Sequence, residues 1–344
     1  MELIERGAYL AALGEHLGAA MAGHGRLVVV GGEAGVGKTS LVRAFAEEQA
    51  DNVRIAWGAC DGLFTPEPLG PLHDWNLVAV DGESPRREVF AATLEALGTT
   101  PTIATVEDVH WADEATLDLL RFLGRRLDGT TALVIATYRD DEIGPRHPLG
   151  AVLGDVETAR RIALPRLSED GVRALAEGSA VDPAELYRQT GGNPFFVTEV
   201  LAAGGDGVPS SVRDAVLARA ARLSEPARNV LDAAAVVGME ASVELLEEML
   251  GARPAGLGDC LAAGVLQQTK GGVGFRHELA RRAVEEATDP ARRRELHAAI
   301  LRALSADGDD ARLAHHAEAA GDAPAALEHA RAAGAKAAEL GAHR

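Results

Sequence analysis

The chain is short of cysteine, lysine, aromatic residues and positive charge, and each shortage excludes something. Cys60 and Cys260 are the only cysteines in 344 residues, too few for a disulfide-stapled secreted scaffold. Acidic residues outnumber basic ones 52 to 34, a net charge of −18, which argues against a surface built to cover nucleic-acid phosphates. No apolar run reaches the roughly 18 residues of a membrane span, so no membrane contact is expected. The acidic opening Met1-Glu-Leu-Ile-Glu5 lacks the basic-then-apolar layout of a secretory leader, and a cytoplasmic location is expected. Lysine is the scarcest basic residue: Lys38, Lys270 and Lys336 are the only three among 34. The bias matches a GC-rich coding sequence, and it makes each lysine informative.

What is present is globular. Apolar residues make up 47%, too many for disorder, and the length allows more than one core. Apolar residues at helical spacing (Leu3, Tyr9, Leu10, Leu13, Leu17) predict an opening helix over 2–22. Five short apolar runs follow, at Arg26–Gly31, Val53–Trp57, Thr102–Val106, Ala132–Thr137 and Arg161–Leu164. Continuous rather than alternating, they predict strands buried on both faces. Helical patterns at Ser40–Gln49, Arg86–Leu97 and Glu114–Leu127 separate them, so residues 1–165 read as an α/β core with a five-stranded parallel sheet. Beyond 165 the pattern is helical. Segments 168–178, 183–190 and 194–204 form an all-α subdomain over 166–207. Helices 210–222, 225–237 and 241–250, then strands Gly264–Leu266 and Val273–Phe275 around Lys270-Gly-Gly272, suggest a winged-helix-like domain over 208–288. Residues 289–344 (helices 290–304, 309–320 and 323–340) carry the small residues of tetratricopeptide-like pairs. About one and a half repeats are too few for a solenoid, so a truncated or fragmentary chain is expected.

The strongest chemical signal is Gly32-Glu33-Ala34-Gly35-Val36-Gly37-Lys38-Thr39, followed by Ser40. It fits the G-x-x-x-x-G-K-[ST] pattern between a strand and a helix. Glycines let successive N–H groups turn towards phosphate oxygens at a helix N-terminus. Lys38 then reaches the β- and γ-phosphates and the Thr39 hydroxyl holds Mg2+. ATP or ADP with Mg2+ is the expected cofactor. The strand at 102–106 ends on Glu107 and Asp108, a carboxylate pair suited to hold the metal and to polarise water. Which of the two does which stays open, because the usual order begins with Asp.

Three motifs carry a resemblance: Val106-Glu-Asp-Val-His-Trp-Ala-Asp-Glu-Ala-Thr-Leu117, Ala136-Thr-Tyr-Arg-Asp-Asp-Glu142 and Thr190-Gly-Gly-Asn-Pro-Phe-Phe196. Together they resemble the ATPase part of large ATP-binding LuxR-type transcriptional regulators, STAND-class P-loop ATPases related to AAA proteins. Cys60–Gly70 and Phe275-Arg-His-Glu-Leu279 fit the same family, and the stretch between Asp74 and Val89 is shorter than usual there. The resemblance implies a sensor arginine at Arg139, whose alternative is an ion pair with Asp140 or Asp141. It implies a proline against the adenine at Pro194, which also suits a helix start. It implies an ADP β-phosphate contact at His277, alternatively a structural histidine, and a place near the base for Arg6. The family's C-terminal helix-turn-helix is not found, and the 208–288 region has mixed charge, so no DNA binding by this chain alone is expected.

The resemblance implies a nucleotide-controlled switch with slow Mg-dependent hydrolysis, self-association in the ATP state and an unidentified inducer. Two alternatives stay open: a P-loop phosphotransferase acting on a small substrate, and a helical scaffold whose ATPase has decayed. The first lacks an arginine-rich lid in the sequence. Against the second stand the intact Lys38, Thr39, Glu107 and Asp108.

Overall fold

The computed structural model describes residues 3–60, 68–80, 84–144, 147–156, 159–205, 207–251, 254–304 and 309–339, without the side chains of 336–339. Of the Cys60–Gly70 motif, residues 61–67 lie outside this set. The chain divides into two compact units, Met1–Glu177 with Gly192–Phe195, and Gly178–Gly191 with Phe196–Arg344.

In the first unit the elements run α1 (Gly7–Met21), β1 (Arg26–Gly31), α2 (Lys38–Gln49), β2 (Arg54–Ala59), α3 (Gly70–Trp75), α4 (Arg86–Thr99), β3 (Thr102–Glu107), α5 (Glu114–Gly124), β4 (Ala132–Tyr138), α6 (Pro148–Asp155), β5 (Arg160–Ala163) and α7 (Glu169–Leu175). The five strands form one sheet in the order β2-β3-β4-β1-β5, every neighbouring pair parallel. All five expected strands are present within two residues of their expected ends. The runs of β1, β3 and β4 are continuous because both faces are covered, whereas edge strand β5, expected to be buried, is exposed at Arg160, Arg161 and Ala163 because it is paired on one side only. Val28, Val30, Ile103, Leu133 and Ile135 pack with Leu13 and Leu17 of α1 and Leu41 and Phe45 of α2. The alternate residues Leu27, Val29, Ala104, Val106 and Val134 pack with Leu119, Leu120 and Leu123 of α5. The chain leaves β1, pairs β2 through β4 on one side, then crosses to β5 on the other. Such a reversal of strand order leaves a crevice at the carboxyl ends of the strands, where open α/β sheets bind ligands.

Several ends differ from the expectation for local reasons. Helix α1 starts at Gly7, not residue 2, because Glu5 adopts a positive φ of 59° that breaks the helix. Helix α5 stops at Gly124; Thr130 N bonds the Leu127 carbonyl at 2.9 Å, turning the chain towards β4. Helices α3 and α6 occupy stretches where no regular element was expected.

The second unit holds α8 (Pro183–Thr190), most of α9 (Pro194–Ala202), α10 (Ser210–Ala220), α11 (Glu225–Val237), β6 (Glu240–Ala241), α12 (Val243–Leu250), α13 (Leu257–Ala262), β7 (Gln267–Thr269), β8 (Gly272–Gly274), α14 (Glu278–Ala287), α15 (Pro290–Leu304), α16 (Asp310–Ala320) and α17 (Ala323–Glu339). The hairpin is present, but its first strand is Gln267–Thr269 rather than Gly264–Leu266, since Gly264 turns at φ 66° behind α13. Thr269 pairs Gly272 across the turn. A third strand, β6, adds to β8 antiparallel. Val230, Leu231, Ala234, Leu246, Phe275 and Ile300 share the core of this unit. Cys60 and Cys260 are both buried. Among the described residues no helix is long and apolar enough to cross a membrane.

Candidate functional site

The loop between β1 and α2 owes its shape to glycine. Gly35 and Gly37 have φ of 78° and 96°, conformations that side chains resist. A Cβ on Gly35 would come within 2.8 Å of Asn193 Oδ1 and of Phe195 Cβ, whereas one on Gly37, the N-cap just before α2, would meet nothing within 4 Å. The loop is therefore packed on one side and open in front of the helix N-terminus.

Lys38 is buried, and its Nζ donates to the carbonyls of Gly32 at 2.7 Å and Glu33 at 2.9 Å. Burial pushes its ammonium below the usual lysine pKa, while Asp108 and Asp141 pull it back up. Thr39 and Ser40 are exposed in the first turn of α2.

Four residues brace this loop, and one of them escaped the sequence reading. Arg166 donates to both oxygens of Glu33, at 2.9 Å and 2.7 Å. Asn193 Nδ2 donates to Glu33 Oε1 at 2.7 Å and to the Ala34 carbonyl at 2.9 Å. Phe195 N bonds the Gly35 carbonyl at 3.2 Å. Pro194, opening α9, thus sits between two residues bonded to the loop. Arg6 is buried, and its Nη2 donates to the carbonyls of Val36 at 3.3 Å and Pro165 at 2.9 Å. Asn193 lay inside a motif already singled out, but Arg166 follows β5 with nothing in its spacing to mark it.

At the end of β3 stands the carboxylate pair. Glu107 Oε2 accepts from Trp57 Nε1 at 3.2 Å, and Oε1 is buried with no hydrogen-bond partner among the described residues. Asp108 has a positive φ of 53°, and its N donates to Thr137 Oγ1 on β4 at 3.0 Å. Arg139 bonds Glu142 Oε1 at 2.6 Å, faces Asp108 Oδ1 at 3.8 Å from Nε, and lies 4.7 Å over the Trp111 ring. The ion pair weighed for Arg139 with Asp140 or Asp141 is thus made with Glu142. Buried His110 stands between Asp108 at 3.8 Å and Glu142 at 3.3 Å, so His110 and Glu142 join the cluster. The sheet order puts β4 between the loop's strand and this pair.

His277 lies in the second unit, buried, with its ring edge-on to Phe196 at 4.7 Å. Within the first unit the structure brings together Arg6, Gly32–Ser40 and the loop-bonded residues flanking Pro194.

The donor set fits a nucleotide with Mg2+. A glycine loop opens in front of a helix end, a buried ammonium rests on loop carbonyls, and a carboxylate oxygen with no hydrogen-bond partner among the described residues stands at the end of β3, two strands away.

Comparison with known proteins agrees at the level of fold. Residues 2–135 match the AAA ATPase domain family. An uncharacterized protein of Rhizobium meliloti (strain 1021) is 26% identical over 93% of this chain; the chain spans only 39% of that protein's length. The Walker-type ATPase of Pyrococcus abyssi superposes with a TM-score of 0.57 at 16% identity, covering 82% of this chain and 96% of that one. The ORC2 protein of Aeropyrum pernix, solved as ADPNP–ADP complexes, gives 0.52 at 15% identity over 88% and 96%. A STAND protein with a tetratricopeptide repeat sensor from Pyrococcus horikoshii gives 0.40 at 21% identity, covering 90% of this chain and 47% of that one. The first unit has the fold of a P-loop ATPase and contains the whole stretch, residues 2–135, that matches the AAA ATPase domain family.

Proposed function

We propose that this chain is the nucleotide-binding switch of a STAND-class signalling ATPase, of the kind found in large ATP-binding LuxR-type regulators. The observation that carries the reading is the braced loop with Lys38 buried behind it, facing the same strand ends as Glu107 and Asp108. In this reading residues 1–165 are the ATPase core, 166–207 a helical subdomain, 208–288 a winged-helix module acting as hinge, and 289–344 the start of a tetratricopeptide-like region.

Bound Mg-nucleotide supplies a polarised γ-phosphoryl group open to in-line attack by water. The chain's part is to hold charge in place. Lys38 exchanges its two carbonyl partners for phosphate oxygens, a trade favoured because its ammonium is already desolvated. The Thr39 hydroxyl and the open oxygen of Glu107 would hold the metal. Asp108, held at Thr137 by its N–H, orients water. Arg139 meets charge that develops beside Asp108 once it exchanges Glu142 for phosphate. Switching requires that ATP and ADP differ in affinity for two states of the molecule. The ATP state would expose surfaces for self-association, under an inducer of unknown chemistry.

The test is to denature the purified chain and measure released nucleotide by ion-exchange chromatography, then assay Mg-ATP turnover with and without candidate acceptors. Near-stoichiometric ADP with slow, acceptor-independent turnover is expected. An empty protein that turns over ATP freely would overturn the locked ADP state, and acceptor-dependent turnover would make the chain a phosphotransferase.

A further inference from the structure

Outside the nucleotide site, three imidazoles converge. His297 on α15 and His316 on α16 are both 3% exposed. Their Nδ1 atoms stand 2.9 Å apart. His315, the exposed neighbour of His316, brings its ring edge-on to His297 with centroids 5.8 Å apart. One nitrogen from each ring lies within 4.8 Å of the other two.

A single N–H···N hydrogen bond accounts for the His297–His316 approach, but it gives no role to His315, whose placement costs rotamer freedom on an exposed helix face. Three imidazole nitrogens around one point describe a ligand set. Tetrahedral Zn–N bonds of about 2.0–2.1 Å put ligand nitrogens roughly 3.4 Å apart, inside the range spanned here, so small ring rotations are enough. The donor type selects the ligand class. Imidazole suits Zn2+, Cu2+ or Ni2+, while Mg2+ and Ca2+ prefer oxygen. Exposed His315 supplies the entry path, and three protein ligands leave a fourth position for water.

We propose that His297, His315 and His316 form a binding site for a borderline divalent transition cation of the Zn2+ type, pinning α15 to α16. The proposal is independent of the nucleotide reading, since no residue of the loop or the carboxylate pair takes part.

The experiment uses the whole chain without an affinity tag, stripped with EDTA and titrated with Co2+ while visible ligand-field absorption is followed. One Co2+ per chain, displaced by Zn2+, is expected, and Zn2+ but not Mg2+ should raise the melting temperature. His315→Ala leaves both buried rings in place, so it should fold with an unchanged circular dichroism spectrum. Loss of this ligand should weaken Co2+ binding about tenfold or more. His316→Ala should abolish binding, and if it fails to fold, His315→Ala still decides. Absence of ligand-field bands in the wild-type chain, or equal affinity in His315→Ala, overturns the proposal and leaves a His–His hydrogen bond.

Discussion

Lys38→Ala removes the charge that the loop is built to hold. ATP hydrolysis should fall about a hundredfold or more, with little loss of stability, because an ammonium already desolvated disappears with its cost. Steady-state turnover alongside thermal melting separates the two effects. Arg166→Ala differs, because it strips the guanidinium from the buried Glu33 carboxylate, which still accepts from Asn193. A loss of about 1–3 kcal/mol is expected, with kcat/KM down roughly tenfold to a hundredfold from a displaced loop. Arg166→Lys should restore only part, since the two-pronged contact with Glu33 needs a guanidinium. A third residue speaks through pH. Burial raises the Asp232 carboxyl above its usual pKa of 3.8, against Arg292, Thr288 and Arg228, which lower it. The folded chain therefore binds that proton more tightly than the unfolded chain, and Asp232 costs stability progressively as pH rises above 3.8. Asp232→Asn should raise the urea midpoint at pH 7 and gain nothing near pH 3.

At the scale of elements, β1, β3 and β4 were legible because each is covered on both faces and its apolar run is continuous, while edge strand β5, expected to be buried, is largely exposed. The loop was legible because glycine spacing and one rare lysine mark it. What brackets the loop was not. Arg166 reaches Glu33 across 133 positions of sequence, a distance no local pattern encodes. Helix α14 was missed because five of its ten residues are charged; its Arg281 is satisfied by Glu278, by Glu285 and by the Ala235 carbonyl at 2.8 Å, contacts invisible without the fold. Helix α5 shows a legible start. Asp113 Oδ1 accepts from Ala115 N at 2.8 Å and Thr116 N at 3.1 Å, and Oδ2 accepts from Leu69 N at 3.3 Å and from the Thr116 hydroxyl. Asp113→Ala should therefore cost about 1–2 kcal/mol, read as a lower denaturation midpoint, with Asp113→Asn recovering most of it.

For the whole molecule, a ligand that binds only the folded state stabilises it by mass action. At a hundred times its Kd, Mg-ADP should add about 2.7 kcal/mol, seen as a higher melting temperature in the wild-type chain and absent in Lys38→Ala. The order of the sheet carries one more consequence. With β4 between β1 and β3, the two halves of the phosphate chemistry stand two strand spacings apart, about 10 Å. Strand β4 is the gauge block of the active centre, and Thr137 is where it touches the workpiece, accepting the Asp108 N–H. Thr137→Val keeps the shape and removes that contact, so nucleotide affinity should hold while turnover drops: a strand that contributes no residue to the glycine loop or the carboxylate pair sets the clearance at which they work.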